Sequence, residues 1–273
     1  MQGLDVGVLK RGLAGSQLAF ELRAYALVAS TQDLVREAAR AGAPEGLVVF
    51  ADEQSAGRGR AGRSWSAPAG SALMFSILLR PAGSVADRAS LSLVGGLAVV
   101  EGLALVRGPK AQLKWPNDCL CGGRKLAGVL AESVIGREAD QPVVLGVGCN
   151  LKWEGLEIPA DLRESGTACD LEGAPVDRTK LAEAVLERMA ERYRQWQAGG
   201  FAAVREDWLE HAAWLGEEVV AEHQSGRLAG RALTVSNGGE LILETPTGPV
   251  VIAAGELVRL RTPQLRPGVA GSG

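Results

Sequence analysis

The sequence predicts an α/β (α+β) protein, in which strands and helices alternate and a small all-β region follows. Three observations lead to this prediction. Strand-like and helix-like segments alternate from about residue 20 to residue 199, and short strands separated by turns take over after Gly216. The composition is 47% hydrophobic and 22% charged, which supplies a core and is not that of a disordered chain.

The strand-like segments are short apolar runs. They cover residues 46–52, 72–79, 125–134 and 142–148. Runs of this length, rich in β-favouring residues and bounded by glycine, proline or polar residues, are typical of strands buried in a sheet. The sequence therefore predicts four buried strands.

The helix-like segments are longer. Residues 92–106 are rich in alanine and leucine and predict a buried helix. A second helix is expected to begin after Asp177, whose side chain can cap it, and to end at Gly199-Gly200. A further helix is expected over residues 201–215.

The two ends of the chain differ from its middle in their residue patterns. Residues 1–16 contain several glycines and no clean period, which predicts a loose, partly strand-like lead-in. The region after Gly216 has the size and turn content of a small SH3-like β-barrel. The expected parts are a partly ordered lead-in (1–19), a large α/β domain (20–213), a β-barrel domain (214–262) and a disordered tail (263–273).

Bulk properties argue against several classes of protein. The net charge of −3 is unlike the basic excess of a general nucleic-acid binder. No apolar run reaches the ~18 residues that cross a bilayer, and the first residues have no sustained apolar core, so we expect no secretory leader. The cysteines lack zinc-site spacing, so we expect reduced thiols in a cytoplasmic protein. They are Cys119, Cys121, Cys149 and Cys169.

The most informative stretch is EQSAGRGRAGRSW, residues 53–65. Its glycines allow sharp turns and close approach of backbone N–H groups to a ligand. Arg58, Arg60 and Arg63 add forked cationic donors suited to carboxylate and phosphate. An RNA-binding Arg/Gly tract is the alternative, but such tracts are repetitive, and this one is single and lies between two apolar strands. The sequence contains no phosphate P-loop motif.

Polar residues at the boundaries of strand-like segments form a second group. Lys125 enters an apolar strand, where a desolvated ammonium needs an anion, although a lysine on a strand is usually solvated. Asn117 and Asp118 follow a proline and suit either a ligand site or a simple turn. Asn150 ends a strand and suits either a turn or an adenine edge.

Four motifs occur in a fixed order: GRGRAGRSW, KWPND, RKLAG and GVGCN. Together they resemble the signature of biotin–protein ligases, over about residues 22–262. The resemblance implies a catalytic fold shared with lipoate ligases, in which helices flank a mixed β-sheet, and a small C-terminal β domain. It also implies a reaction in two steps. Biotin and Mg-ATP give biotinoyl-5′-AMP and pyrophosphate, and a carrier lysine then takes the biotinoyl group and releases AMP.

The resemblance also implies roles for individual residues. Lys125, Arg58 and Arg60 are the expected catalytic residues. The expected biotin-binding residues are Ser30, Thr31, Gln32, Gln54, Arg58, Gly59, Arg60, Lys125 and Gly128. The expected ATP-binding residues are Arg63, Trp65, Asn117, Asp118 and Asn150, with Asp118 as a weak candidate metal ligand. Gln32 departs from the asparagine usual in the family, and Ser30 to Asp33 could equally cap a helix.

Partners follow from the same resemblance. The expected substrates and cofactors are biotin, ATP and Mg²⁺, and the expected partner is the biotin carboxyl carrier domain of a carboxylase. About 20 residues precede the catalytic region, so we expect no DNA-binding domain, no DNA binding and no membrane contact. A homodimer is left open. The alternatives are a lipoate or octanoate ligase, which lacks the Gly/Arg loop, and a non-catalytic RNA-binding module.

Overall fold

The computed structural model describes residues 3–82, 85–134, 141–223 and 226–259. A seven-stranded mixed sheet is its centre, with the strand order β1-β2-β3-β7-β6-β5-β4. β1 and β2 are parallel, and the other neighbours are antiparallel. The strands are β1 Glu21–Val28, β2 Leu47–Gln54, β3 Ala72–Leu79, β4 Gln112–Lys114, β5 Asp118–Cys121, β6 Arg124–Ser133 and β7 Val143–Asn150.

Helices cover both faces of this sheet. α2 packs on one face, where Val35 meets Leu47, Leu78 and Val144. α4 packs between the other face and α6, and most of its side chains are therefore buried. Gly102 permits this close approach, because a Cβ there would lie 2.7 Å from the side chain of Val185. The helices are α1 Val6–Gly12, α2 Thr31–Arg40, α3 Val85–Arg88, α4 Leu91–Leu105, α5 Ala160–Ser165, α6 Arg178–Gly199 and α7 Arg205–Glu210.

The C-terminal region forms a five-stranded antiparallel sheet in the order β11-β10-β9-β8-β12. Its inner residues, such as Val219 and Leu243, join the same hydrophobic cluster as the large sheet. The indole N–H of Trp115 also donates to the carbonyl of Gly239 at 2.9 Å. The strands are β8 Glu218–His223, β9 Gly226–Val235, β10 Leu241–Thr245, β11 Gly248–Ile252 and β12 Glu256–Arg259.

The predicted fold class is confirmed, as a mixed sheet flanked by helices and a small C-terminal β domain. All four predicted strands lie within two residues of their expected bounds. The long helix is also confirmed, and the Asp177 side chain caps it by accepting from the Lys180 N–H at 2.8 Å. The domain bounds remain a prediction, and the tail 263–273 lies outside the described residues.

Two predictions about helices are wrong. The lead-in is not strand-like: α1 forms there, capped by Asp5, because Leu9 and Leu13 can be buried in the core. A helix of seven residues is too short to show a period in the sequence. The helix expected over residues 201–215 is broken at Val204 into a 3₁₀ turn and the six-residue α7.

No helix in the described ranges is long and apolar enough to cross a membrane.

Candidate active site

A cavity of about 530 Å³ opens between the first turn of α2, the ends of β2, β6 and β7, and residues 58–66 and 159–166. Most of the predicted site residues line it, although they are up to about 120 positions apart in the chain. Those on its wall are Thr31, Gln32, Gln54, Arg58, Gly59, Arg60, Arg63, Trp65, Asn117, Lys125, Gly128 and Asn150. Ser30 and Asp118 are buried directly behind them.

One end of the cavity is polar. Ser30 occupies the N-cap position of α2, but its hydroxyl makes no capping bond. Within the described part of the chain, the Ser30 Oγ and Gln32 Oε1 atoms are buried and have no hydrogen-bond partner. Buried polar groups are normally paired. Two unpaired oxygens beside a cavity therefore indicate that a ligand with N–H donors satisfies them.

The neighbouring residues of this polar end are held in place. The Gln54 Oε1 atom accepts from the backbone N–H of Thr31 at 2.8 Å, and the Thr31 hydroxyl lies 2.8 Å from the Ser76 hydroxyl. The Gln32 amide donates to the Leu130 carbonyl at 3.1 Å. A Cβ at Gly146 would lie 3.0 Å from the Gln32 Nε2 atom. The glycine therefore leaves room for Gln32, which is longer than the asparagine usual in the family.

The Gly/Arg loop forms a tight hairpin over the cavity. The Gly59 N–H donates to the Arg63 carbonyl at 2.7 Å, and the Trp65 N–H donates to the Gly57 carbonyl at 2.9 Å. A Cβ at Gly57 would lie 2.3 Å from the Trp65 carbonyl oxygen, so this crossing requires glycine. The hairpin lays the Trp65 ring on Gly148, where a Cβ would lie 2.4 Å from the ring. Among the described residues, the buried Trp65 indole N–H has no acceptor.

The loop arginines pair with acids that are distant in sequence. Arg58 lies 2.8 Å from Asp33 on α2, and Arg63 lies 2.9 Å from Glu256 on β12. Arg60 donates to the Gly255 carbonyl at 3.1 Å, and burial lowers the pKa of its guanidinium. The positive charge of the loop arginines is therefore partly offset by Asp33 and Glu256.

Lys125 and Asp118 form the central ion pair of the site. Lys125 Nζ lies 2.6 Å from Asp118 Oδ1, and Lys114 Nζ lies 3.3 Å from Asp118 Oδ2. Burial opposes ionisation of Asp118, but the two ammonium groups outweigh it and hold the pKa of this carboxyl below its usual value. The sequence analysis considered a desolvated ammonium group at Lys125, but 35% of this side chain is exposed. Its ammonium group lies 5.7 Å from the Trp65 ring centroid.

Asn117 ends the turn of residues 115–117. Asp118 begins β5, and the Asn117 side chain donates to the Val129 carbonyl at 3.0 Å. Gly128 faces Lys125 and Trp65, because a Cβ there would lie 3.1 Å from Lys125 Cε and 3.3 Å from the ring. These residues hold the lysine and the tryptophan in place at the cavity wall.

Asn150 is buried at the other end of the cavity, and its amide donates to the Thr167 carbonyl at 2.9 Å. Beside it, the segment that follows β7 also lines the cavity, through Trp153, Leu162 and Ser165. Sequence reasoning missed this segment, because it is irregular and contains only the six-residue α5. It missed Glu256 as well, which lies in no motif, and Lys114, which opens the KWPND motif but was given no role.

The four cysteines are free, as predicted. Burial raises the pKa of Cys119 to about 12, and burial with the nearby Glu172 raises the pKa of Cys121 to about 11. The thiolate is the reactive form of cysteine. Neither residue is therefore suited to nucleophilic catalysis.

Comparison with known proteins extends these observations. The profile of the biotin/lipoate A/B protein ligase family matches residues 24–150. A biotin–[acetyl-CoA-carboxylase] ligase of Paracoccus denitrificans is 38% identical over 77% of this chain and 88% of its own length. A ligase of the same name from Mycobacterium tuberculosis is 35% identical over 94% of this chain and 96% of its own length.

A solved structure shares the fold. The biotin protein ligase of Aquifex aeolicus, in complex with biotin and ATP, superposes with a TM-score of 0.76 at 30% identity, covering 89% of this chain and 99% of that one. The cavity, its motifs and these relatives agree, and the chain belongs to the biotin/lipoate A/B protein ligase family as a biotin–protein ligase.

Proposed function

We propose that this enzyme activates biotin with ATP, forming biotinoyl-5′-AMP and pyrophosphate, and then transfers biotin to a lysine of a carrier domain, releasing AMP. The observation that carries the proposal is the order of groups along one cavity. Gln32, which like the buried Ser30 has an unpaired oxygen, lies against Gly146 of β7. Trp65 lies on Gly148, Lys125 and Trp65 lie beside its strand partner Gly128, and Asn150 ends β7.

The polar end fits the ring of biotin. The ureido group carries two N–H donors, which can pair with the Ser30 and Gln32 oxygens, and a carbonyl that can accept from Thr31 or Gln54. A dithiolane ring or an octanoyl chain has no N–H and would leave both oxygens unpaired, at a cost of about 1–3 kcal/mol each. This contrast favours biotin over lipoate or octanoate.

The middle of the cavity fits the chemistry of adenylate formation. The biotin carboxylate attacks the α-phosphorus of ATP, a new C–O–P linkage forms, and pyrophosphate leaves with the electrons of the broken P–O bond. Two anions must meet, so fixed cations are needed where charge develops. Lys125 is proposed to bridge the carboxylate and α-phosphate, with Arg58 and Arg60 on the carboxylate side and Arg63 on the phosphate side.

The remaining residues are proposed to serve ATP. Asn150 and the segment with Trp153 are placed to bind the base, and the free Trp65 indole N–H can donate to a phosphate or carbonyl oxygen. Asp118 does not fit a metal ligand, because both of its oxygens pair with ammonium groups. Its proposed role is to orient Lys125, together with Asn117 on the neighbouring strand end. Mg²⁺ is expected to enter with ATP as part of that substrate.

In the second step the carrier lysine amine attacks the mixed anhydride at the biotinoyl carbonyl, and AMP leaves. The anhydride must be shielded from water until then. The hairpin that holds Gly59 and Trp65 over the cavity is suited to this task. A closed loop also keeps the adenylate from reacting with unrelated lysines.

The partner proposed for this chain is the biotin carboxyl carrier domain of a carboxylase, since relatives are named as acetyl-CoA-carboxylase ligases. An RNA-binding role is disfavoured because Arg58 and Arg63 are paired with acids. A cytoplasmic location, the absence of DNA binding and a homodimer remain predictions.

Transfer to a carrier tests the proposal directly. The enzyme is incubated with a biotin carboxyl carrier domain, biotin and ATP, and the carrier is analysed by intact-mass spectrometry. We expect one biotin per carrier, absent when the acceptor lysine is changed to arginine. An unmodified carrier, or one modified by lipoate instead, would refute the proposed substrate.

A further inference from the structure

The central strands β6 and β7 stop pairing with each other near one end. Lys125 and Asn150, the two residues proposed to contact ATP, lie on opposite sides of the resulting gap. Their antiparallel pairing ends at Ala127 and Cys149. Lys125 lies just outside this pair on β6, and Asn150 lies just outside it on β7. Beyond the last pair, direct strand pairing no longer fixes the separation of the two residues.

Residues 166–169 fill this gap. The Thr167 N–H donates to the Lys125 carbonyl at 2.9 Å, and the Asn150 side chain donates to the Thr167 carbonyl at 2.9 Å. The Cys169 N–H donates to the Asn150 carbonyl at 3.2 Å. Thr167 therefore contacts both proposed ATP-binding residues, although it does not line the cavity itself.

Glu172 holds Thr167 in turn. Its carboxylate accepts from the Thr167 hydroxyl at 2.6 Å, from the Arg124 guanidinium at 2.8 Å and from the Cys121 thiol at 3.3 Å. The Thr167 hydroxyl, against the opposing effect of burial, lowers the pKa of this carboxyl. The ionised Glu172 therefore links residues 166–169 to Arg124, which directly precedes Lys125.

We propose that Thr167 and Glu172 are positioning residues that set the distance between Lys125 and Asn150. They thereby align the α-phosphate with the base of one bound nucleotide. This inference rests on the proposed function for the roles of Lys125 and Asn150. Neither residue touches the polar end of the cavity, which is built by α2 and β2.

This placement predicts a selective defect. Without the Thr167 hydroxyl, residues 166–169 lose their hydrogen bond to Glu172. Lys125 and Asn150 are then no longer held at the separation that lets them contact the phosphate and the base of one nucleotide. Hydrogen bonds to charged groups contribute enough that we expect about a five- to thirtyfold rise in the KM for ATP. Biotin affinity should stay within about twofold.

The test compares Thr167→Val, which keeps the shape and removes the hydroxyl, with Thr167→Ser, which keeps the hydroxyl. Tyr193→Phe is the matched control, because the Tyr193 hydroxyl donates to Glu45 at 2.7 Å outside the cavity. Pyrophosphate release gives the KM for ATP, and calorimetry gives the dissociation constants of biotin and of ATP separately. We expect the defect only in Thr167→Val, with recovery in Thr167→Ser.

Several results would overturn the inference. These are an unchanged KM for ATP in Thr167→Val, an equal loss of biotin and ATP binding, or the same loss in Tyr193→Phe. If Thr167→Val does not fold, Glu172→Gln takes its place, and an unchanged KM for ATP there has the same meaning. Wild-type enzyme that binds ATP but releases no pyrophosphate with biotin would refute the proposed function instead, while the calorimetric comparison of ATP binding still tests Thr167.

Discussion

Lys125 is the residue on which the proposed chemistry depends most, and its neighbours make it a clean target for substitution. Lys114 remains beside Asp118 when Lys125 is removed, so the buried carboxylate keeps a cationic partner. We expect Lys125→Ala to fold normally and to lose at least about a hundredfold in pyrophosphate release, as when a preorganised donor is removed from a charge-stabilising site. Lys180→Ala, on the exposed surface of α6, is the control. A rate within a few-fold of wild type would make Lys125 merely structural.

The cysteines provide a second test at this scale. Cys121 is partly exposed, whereas Cys119, Cys149 and Cys169 are buried. With the pKa of Cys121 raised to about 11, its thiolate fraction at pH 8 is on the order of a hundredfold below that of a free cysteine. Native enzyme treated with iodoacetamide should show slow labelling at Cys121 alone, by peptide mass spectrometry, and labelling should quicken as the pH rises. In urea all four should react. Rapid native labelling of a buried cysteine would contradict the described packing.

The sequence motifs identified single residues that the fold brings to one cavity, although the roles of these residues remain predictions. Lys125, Asn150 and the loop arginines all line the cavity. The ion-pair partners of Arg58 and Arg63 were not predictable, because Asp33 and Glu256 come from other elements and carry no local signal for this pairing. The same holds for Thr167 and Glu172, whose importance arises only from hydrogen bonds made after folding.

At the scale of elements, the Gly/Arg hairpin is held by contacts at both of its sides. Arg58 pairs with Asp33 on α2, and Arg63 pairs with Glu256 on β12. These exposed pairs are individually weak, so we expect the hairpin to open transiently without ligand and to close when biotin and ATP supply anions.

Limited proteolysis after Arg58, Arg60 or Arg63 measures this opening. Cleavage should slow markedly when biotin and ATP are both present. Arg60→Gly removes the contact to the Gly255 carbonyl, so it should raise the cleavage rate and let the adenylate escape to label unrelated proteins. Equal cleavage with and without ligands would refute closure of the hairpin.

Buried strands of the large sheet were predictable, whereas its exposed edge strand and the shortest helices were not. β3 and β7 consist of apolar residues buried on both faces, and their sequences show it. β1 escaped prediction because it is an edge strand with most side chains exposed, including Tyr25 and Leu27. α1 and α5 have too few turns to produce a periodic pattern.

At the scale of the whole molecule, the C-terminal sheet reaches the active site at one place. The Gly255 carbonyl and Glu256 contact Arg60 and Arg63, and Glu256 lies 3.7 Å from Lys114. No described residue of the C-terminal sheet lines the cavity at its polar end. The C-terminal sheet is therefore expected to support ATP and adenylate handling rather than biotin binding.

Glu256→Gln tests this division of labour. We expect the KM for ATP to rise about two- to fivefold, as is usual for a partly exposed ion pair, while biotin binding by calorimetry is unchanged. Glu244→Gln, which breaks an exposed pair with Arg231 elsewhere in the same sheet, is the control. A loss of biotin binding in Glu256→Gln would show that the C-terminal sheet supports the biotin end of the cavity, which contradicts the prediction.

The central claim is that biotin and ATP react with each other in this cavity, and pyrophosphate release on mixing enzyme with both substrates measures that step alone. We predict release that requires biotin and ATP together, does not require a carrier, and is not supported by lipoate or octanoate in place of biotin. Release that is independent of biotin, or that lipoate supports equally well, would contradict the account.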